Sequence, residues 1–198
     1  MEKYLINSNE AGLDEAGRGP LIGNVYAAAV IWDPLLNPPD GLIIDSKKLS
    51  SKKRKIALEW IKTNIKYYGV GYATNIEIDN INILEATKLA MDRAIVNLNI
   101  TPTNLIIDGT GWEKKFTNYT VSSIIKGDSK YLSIAAASIL AKEYHDEHIL
   151  TLCNADPSLI QNYSLNTNMG YGSKKHIDGI KLYGYTELHR KSFKLKCL

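Results

Sequence analysis

Short apolar runs alternate along this 198-residue chain with longer segments whose apolar residues recur at helical spacing. Val25-Tyr26-Ala27-Ala28-Ala29-Val30-Ile31 reads as a buried strand of small residues, and Tyr67–Ala73 as a second strand. Asn104-Leu105-Ile106-Ile107-Asp108-Gly109 is an apolar strand ending in an acid, and residues 121–126 form a further strand. Ser50 or Ser51 caps a helix through residues 52–64, with Ile56, Leu58, Trp60 and Ile61 as its apolar members. Residues 79–98 and the alanine-rich 133–149 are two more helices, while Pro34, Pro38 and Pro39 mark a loop. Strands separated by helices indicate an α/β domain with a mixed sheet. The length suits one domain, or one with a small appendage, and is ample for a core.

The segment Gly12-Leu13-Asp14-Glu15-Ala16-Gly17-Arg18-Gly19-Pro20 sets two adjacent carboxylates against a glycine-rich loop. Ile6 and Leu13 suggest a short strand that stops at Asp14-Glu15. Successive strand side chains point to opposite faces. Both carboxylates therefore serve one site only if the strand ends or distorts there, which Gly17 and Gly19 permit. The same glycines let backbone N–H groups approach a ligand, and Arg18 adds a cationic fork suited to phosphate. Taken alone, an acidic surface turn accounts for the segment equally well.

Two later strand ends break that tie. Asp108 closes Leu105-Ile106-Ile107, and Asp128 lies in Lys126-Gly127-Asp128-Ser129, between the last strand and the alanine-rich helix. Ligand sites in open α/β sheets gather at such ends, although Asp128 by itself reads as a helix-side turn acid. Asp14, Glu15, Asp108 and Asp128 together can hold two divalent cations. Hydrolysing a phosphodiester requires an activated water, stabilised charge and help for the leaving oxygen, which a pair of ions supplies. An open cluster of carboxylates suits a hard ion such as Mg²⁺.

Net charge is +3 but unevenly spread. Residues 46–66 carry +7 and residues 174–198 carry +5, which leaves −9 on the rest. Two basic stretches on an acidic body suit a protein that lays a polyanion across a metal site. Lysines that merely solvate helix faces would explain the first stretch alone. In the second, Arg190, Lys191 and Lys194 are expected to touch backbone phosphates without regard to sequence.

With these residues in view, the chain closely resembles ribonuclease HII, the type 2 ribonuclease H, along nearly its whole length. The resemblance rests on Gly12-Leu13-Asp14-Glu15-Ala16-Gly17-Arg18-Gly19-Pro20-Leu21, Asp45-Ser46-Lys47-Lys48-Leu49-Ser50, Ile81-Asn82-Ile83-Leu84-Glu85-Ala86-Thr87, Ile107-Asp108-Gly109 and Lys126-Gly127-Asp128-Ser129-Lys130. It continues through Ser133-Ile134-Ala135-Ala136-Ala137-Ser138-Ile139-Leu140-Ala141-Lys142, Gly170-Tyr171-Gly172-Ser173-Lys174-Lys175-His176 and His189-Arg190-Lys191-Ser192-Phe193. It implies the ribonuclease H-like fold, a five-stranded mixed sheet flanked by helices. The catalytic core would cover about residues 1–150, with a helical substrate-binding extension over about residues 151–198.

The resemblance also implies roles. Asp14, Glu15, Asp108 and Asp128 match the family's catalytic, metal-binding acids, with Mg²⁺ or Mn²⁺ as cofactor. Gly17, Arg18 and Gly19 match a loop whose backbone reads the ribose 2′-hydroxyl. Tyr171 matches a tyrosine that stacks on the sugar of the following deoxynucleotide. Lys47 and Lys126 fall in family motifs and are expected to contact phosphate. The implied activity cleaves the RNA strand of RNA–DNA hybrids and nicks duplex DNA on the 5′ side of a lone ribonucleotide. The products carry 5′-phosphate and 3′-hydroxyl ends.

Two departures from the family pattern bear on local stiffness: Asn24 in place of a proline, and Glu187-Leu188 in place of proline-isoleucine. The related ribonuclease HIII lacks the tyrosine and carries an extra N-terminal substrate-binding domain. With Tyr171 present and 13 residues before Asp14, type HII is the nearer resemblance. His145 and His148 read as surface residues in preference to a zinc pair, and His176 and His189 are expected to approach substrate.

Other classes fit less well. A nuclease of this fold with another purpose is opposed by the Gly17-Arg18-Gly19 loop and Tyr171. A non-catalytic nucleic-acid-binding module is opposed by four intact acids, and a dinucleotide-binding enzyme by a glycine spacing one residue too long. No apolar run approaches the ~20 residues of a membrane span, and no apolar signal region opens the chain. Cys153 and Cys197 form neither a metal spacing nor a disulfide framework, so a reducing cytosol is the expected compartment, and the enzyme is expected to be a monomer.

Overall fold

Residues 1–195 are described by a computed structural model; Lys196, Cys197 and Leu198 lie outside the described residues. Five strands form one sheet: β1 (Glu10–Ala16), β2 (Val25–Ile31), β3 (Tyr67–Ala73), β4 (Asn104–Asp108) and β5 (Thr120–Ile124), in the order β3-β2-β1-β4-β5. The first three strands pair antiparallel, whereas β4 and β5 join parallel to β1. The mixed sheet expected from the alternating pattern is therefore present.

Helices α1 (Ser51–Asn64), α2 (Asn75–Val96) and α3 (Leu132–Ala155) cover its two faces. Alternation along the strands decides which face each helix takes. Ala11 and Leu13 of β1 join Ala86, Ala90, Met91 and Ala94 of α2 in one apolar cluster. Ala28 and Val30 of β2 join α1 and the alanines of α3 in another. α2 rests on the backbone of β3: a Cβ on Gly69 or Gly71 would stand 2.2 Å from the carbonyl oxygen of Ala94 or Ala90.

β2 and β3 keep the limits read from sequence, and Ser50 caps α1 by accepting from the Lys53 N–H. Elsewhere local hydrogen bonding moves the boundaries. Ile6 lies outside β1 because the Glu10 carboxylate accepts the N–H groups of Leu5 and Ile6 and turns the chain there. β5 stops before Ile125 and Lys126, where Lys126 takes φ +56°. α2 starts earlier than residue 79 because Thr74 and Glu77 form a reciprocal cap. It then breaks at Asn82 (φ +67°), whose side chain accepts the N–H groups of Leu84 and Glu85 and restarts the helix. Ile56, expected inside, faces solvent, and Ala57 takes the buried place.

α3 outruns residue 149 because its end is covered. α4 (Ser158–Tyr163), α5 (Leu165–Asn168) and α6 (Lys174–Tyr183) fold back over it. They bring Leu159, Tyr163, Leu165 and Ile180 onto Ile149, Cys153, Leu21 and Ile22 in a third cluster. Among the described residues no helix is long and apolar enough to cross a membrane.

Candidate active site

β1 pairs with β2 through Ala16 but with β4 only as far as Leu13. Asp14 and Glu15 thus ride on a half-paired overhang beside the end of β4, which is Asp108. This corrects the expected strand stop at Asp14-Glu15: the strand continues, and loss of one neighbour frees the adjacent carboxylates. Asp14 Oδ1 accepts the Glu15 N–H at 2.7 Å. Glu15 Oε1 accepts from Arg18 Nη1 at 3.0 Å, while its Oε2 is buried without a partner. Asp108 Oδ1 accepts the Gly127 N–H at 2.7 Å. Gly127 opens the short 3-10 turn that carries Asp128, itself buried beside Asp45.

The acids repel one another across this small space. Burial pushes the Asp14 carboxyl well above its usual range, and Glu15 and Asp108 add to the rise. Burial also raises Glu15, with Arg18 opposing. Asp128 is raised by burial and then by Asp45 and Asp108. Burial alone would lower Lys47, but the combined field of Asp14, Asp128, Asp45 and Asp108 holds it above its usual value. Among the described residues the ion pair made by Asp14, Glu15, Asp108 or Asp128 is Arg18 to Glu15.

Among the described residues no three acidic, histidine or cysteine side chains close around one point as a metal cage would. Arg18 engages the Glu15 carboxylate and the Gly127 N–H engages that of Asp108. An oxygen-only donor set, an orphaned buried carboxylate oxygen and uncompensated charge nonetheless fit an open site for a hard divalent cation.

A cleft of about 380 Å³ is lined by Asp14, Glu15, the Gly17-Arg18-Gly19 loop, Lys47 and Tyr171. Asp108 and Asp128 stand outside its lining but within the same electrostatic cluster. Lys126 is exposed and is not brought into the cleft. The Tyr171 ring lies directly against the glycine loop, since a Cβ on Gly19 would meet its Cε1 at 3.3 Å. Lys142 Nζ sits 5.7 Å from the centre of that ring. Gly17 needs its missing side chain twice over: it takes φ +87°, and a Cβ would strike His145 Cδ2 at 2.3 Å.

Arg190 is the functional residue that sequence reasoning misassigned. It is fully buried and does not face phosphate. Its Nε donates to the Gly23 carbonyl, Nη1 to Arg18 and Pro20, and Nη2 to Gly17 and Asn24, over 2.7–3.1 Å. The guanidinium fills the inside of the glycine loop. Burial pulls it down to about 10, which still leaves it cationic at neutral pH. Lys191 and Lys194 remain exposed as expected. His145 is also corrected, being fully buried with Nδ1 3.0 Å from Asp146, and His148 is half-buried. His176 and His189 are fully buried and cannot meet substrate directly. Ser138, which lines the cleft with Asp14 and lies 2.9 Å from the Ser46 hydroxyl, was legible only as part of the alanine-rich helix.

A family model described as ribonuclease HII matches residues 11–196. The ribonuclease HII of Rickettsia akari is 47% identical over 194 residues, covering 98% of this chain and 95% of that protein. The ribonuclease HII of Phocaeicola vulgatus is 46% identical over 195 residues, covering 98% and 92%. A chain of the PCNA:RNase HII complex from Archaeoglobus fulgidus superposes with a TM-score of 0.72 at 25% identity, covering 94% and 96%. Bst-RNase HIII in complex with Mn²⁺ shares the fold, with a TM-score of 0.68 at 20% identity, covering 87% of this chain and 69% of that one. The family model and these relatives alike cover nearly the whole chain, and the chain belongs to the ribonuclease HII family.

Proposed function

We propose that the protein is a metal-dependent endoribonuclease that cleaves the RNA strand of RNA–DNA hybrids. It also nicks duplex DNA 5′ of an embedded ribonucleotide, leaving 5′-phosphate and 3′-hydroxyl ends. One observation carries this reading: two unlike surfaces share one cleft, buried acids on one wall and a glycine loop packed against an exposed tyrosine ring on the other.

Asp14, Glu15, Asp108 and Asp128 hold Mg²⁺ or Mn²⁺. When bound, the ions activate a water and stabilise charge developing on the phosphate. The chain's own residues choose the bond to be cut. Arg190 occupies the carbonyls of the glycine loop from inside, which leaves the N–H groups of Gly17, Arg18 and Gly19 for the 2′-hydroxyl. A site built to bond a hydroxyl rejects a substrate lacking it by on the order of 10⁴-fold or more. Tyr171 stacks on the neighbouring deoxyribose, Lys47 contacts the phosphate, and Lys126 reaches a more distant one. A substrate-binding extension over about residues 151–198 completes a catalytic core of about residues 1–150, and the two pack together through the third apolar cluster. A monomeric, cytoplasmic enzyme completes the reading.

The test incubates purified protein with duplex DNA containing one ribonucleotide, an all-DNA control and a long hybrid, in Mg²⁺, Mn²⁺ or chelator. Cuts 5′ of the ribonucleotide and throughout the hybrid are expected, with none in the control. Cleavage of the control, or cleavage in chelator, overturns the proposal.

A further inference from the structure

His176 and His189 do not themselves line the cleft; both are fully buried and their Nε2 atoms lie 3.1 Å apart. Two ring nitrogens at that distance share one proton, so one ring donates and the other accepts. The outer nitrogens decide which. The Thr186 N–H donates to His189 Nδ1 over 2.9 Å, so that nitrogen is bare and the His189 proton sits on Nε2. His176 Nε2 must then accept, and the His176 proton sits on Nδ1, which donates to the Tyr171 carbonyl over 3.0 Å. A second proton would set two N–H groups against each other. The rings pack edge-on against Tyr163, and His189 also against Tyr185. Burial holds both imidazoles below their usual range, His189 at about 4, which agrees with a neutral pair.

The neighbouring backbone connects this pair to the other half of the cleft. His189 bridges to Ile22, and the Arg190 N–H donates to the Leu21 carbonyl. Consecutive side chains then part: Arg190 turns into the glycine loop, and His189 turns through His176 to Tyr171.

We propose that His176 and His189 are positioning residues for Tyr171, and that the His189-Arg190 pair sets the spacing between the tyrosine and the glycine loop. The chain of three hydrogen bonds runs from Thr186 to the carbonyl of the residue that presents the ring. This rests on Tyr171 meeting the nucleotide, but the first measurement below does not.

Long-range proton–nitrogen NMR on the labelled full chain at neutral pH reads the tautomers. His189 is expected as the Nε2–H form and His176 as the Nδ1–H form. The same tautomer in both rings, or a cation in either, overturns the proposal. Two variants then test its consequence. His176→Phe keeps the ring shape and loses both bonds, while His176→Asn keeps an N–H at the Nδ1 position. His176→Phe should lower kcat/KM at a lone ribonucleotide roughly threefold to tenfold more than in a continuous hybrid, with His176→Asn recovering most of the difference. In a Tyr171→Ala background His176→Phe should add nothing to that ratio. An unchanged further loss in that background would make the histidines scaffold alone, with metal-dependent cleavage untouched. A wild-type chain inactive on both substrates would instead refute the nuclease reading.

Discussion

Replacing Asp14 with asparagine removes a charge that burial, Glu15 and Asp108 all oppose. Activity and stability should therefore move in opposite directions. Asp14→Asn is expected to abolish cleavage while leaving duplex binding within a few-fold, and to raise the metal-free Tm by roughly 2–4 °C. Asp108→Asn should be as inactive, whereas Asp128→Asn keeps some activity in Mn²⁺ if it meets the more exchangeable ion. Full activity in Asp14→Asn would sink the metal mechanism. Tyr171 is a different kind of residue, exposed and in contact with Gly19 through its ring. Losing a stacked ring costs on the order of 1–3 kcal/mol by analogy with base stacking, roughly fivefold to 150-fold in rate when realised in the transition state. Tyr171→Ala should thus hurt cleavage at a lone ribonucleotide more than in a long hybrid, and Tyr171→Phe should be milder. Equal losses on both substrates would make Tyr171 a scaffold residue.

The glycine loop and the segment that follows α6 behave as one unit because Arg190 ties them through five carbonyls. Removing such a buried partner leaves those acceptors without donors, so Arg190→Leu should cost roughly 3–5 kcal/mol of stability. Arg190→Lys should recover little, since one ammonium cannot span the same fan of acceptors. The salt dependence of duplex binding should hardly change in a folded Arg190 variant. Neutralising Lys191 and Lys194 should instead weaken all duplexes alike and reduce the salt slope by about one for each phosphate left unneutralised. Titrations across a range of salt separate the two outcomes. A flattened slope in Arg190→Lys with unchanged Tm would return Arg190 to the surface role read from sequence.

This contrast marks what the sequence could and could not carry. Asp14, Glu15 and the glycines were legible because their chemistry is local: adjacent acids followed by residues that permit a bent backbone. β2, β3 and the cap of α1 were legible because periodicity and a capping serine are local too. His189-Arg190-Lys191 looks locally like any basic surface stretch. Only its return across residues 21–23, some 170 positions away, turns the arginine inward. The break at Asn82 escaped for a related reason, since the apolar recurrence continues on both sides of it.

Two sets of buried groups make the stability of the folded chain depend on pH in opposite senses. Burial holds His145, His148, His176 and His189 below the usual imidazole range, His148 and His189 at about 4. Unfolded histidines titrate at about 6.5, so the unfolded chain binds more protons from there down to the folded values. Histidine-linked stability is thus present at neutral pH and is lost as pH falls through that window. Asp14, Glu15 and Asp128 are raised, so they disfavour the fold at neutral pH and are relieved as pH falls. A divalent ion relieves the same repulsion without protons and stabilises by about 2.7 kcal/mol at a hundredfold excess over its Kd. Mg²⁺ should therefore raise Tm strongly at about pH 8 and much less at about pH 5, where protons compete for the carboxylates. Binding near neutrality should release protons, visible as a calorimetric heat that varies with the ionisation enthalpy of the buffer. The Asp14→Asn, Asp108→Asn double variant should lose the Mg²⁺ increment yet keep the acid slope that the histidines impose. A Mg²⁺ increment equal at both pH values, or one surviving in the double variant, would mean that the ion acts away from these four acids.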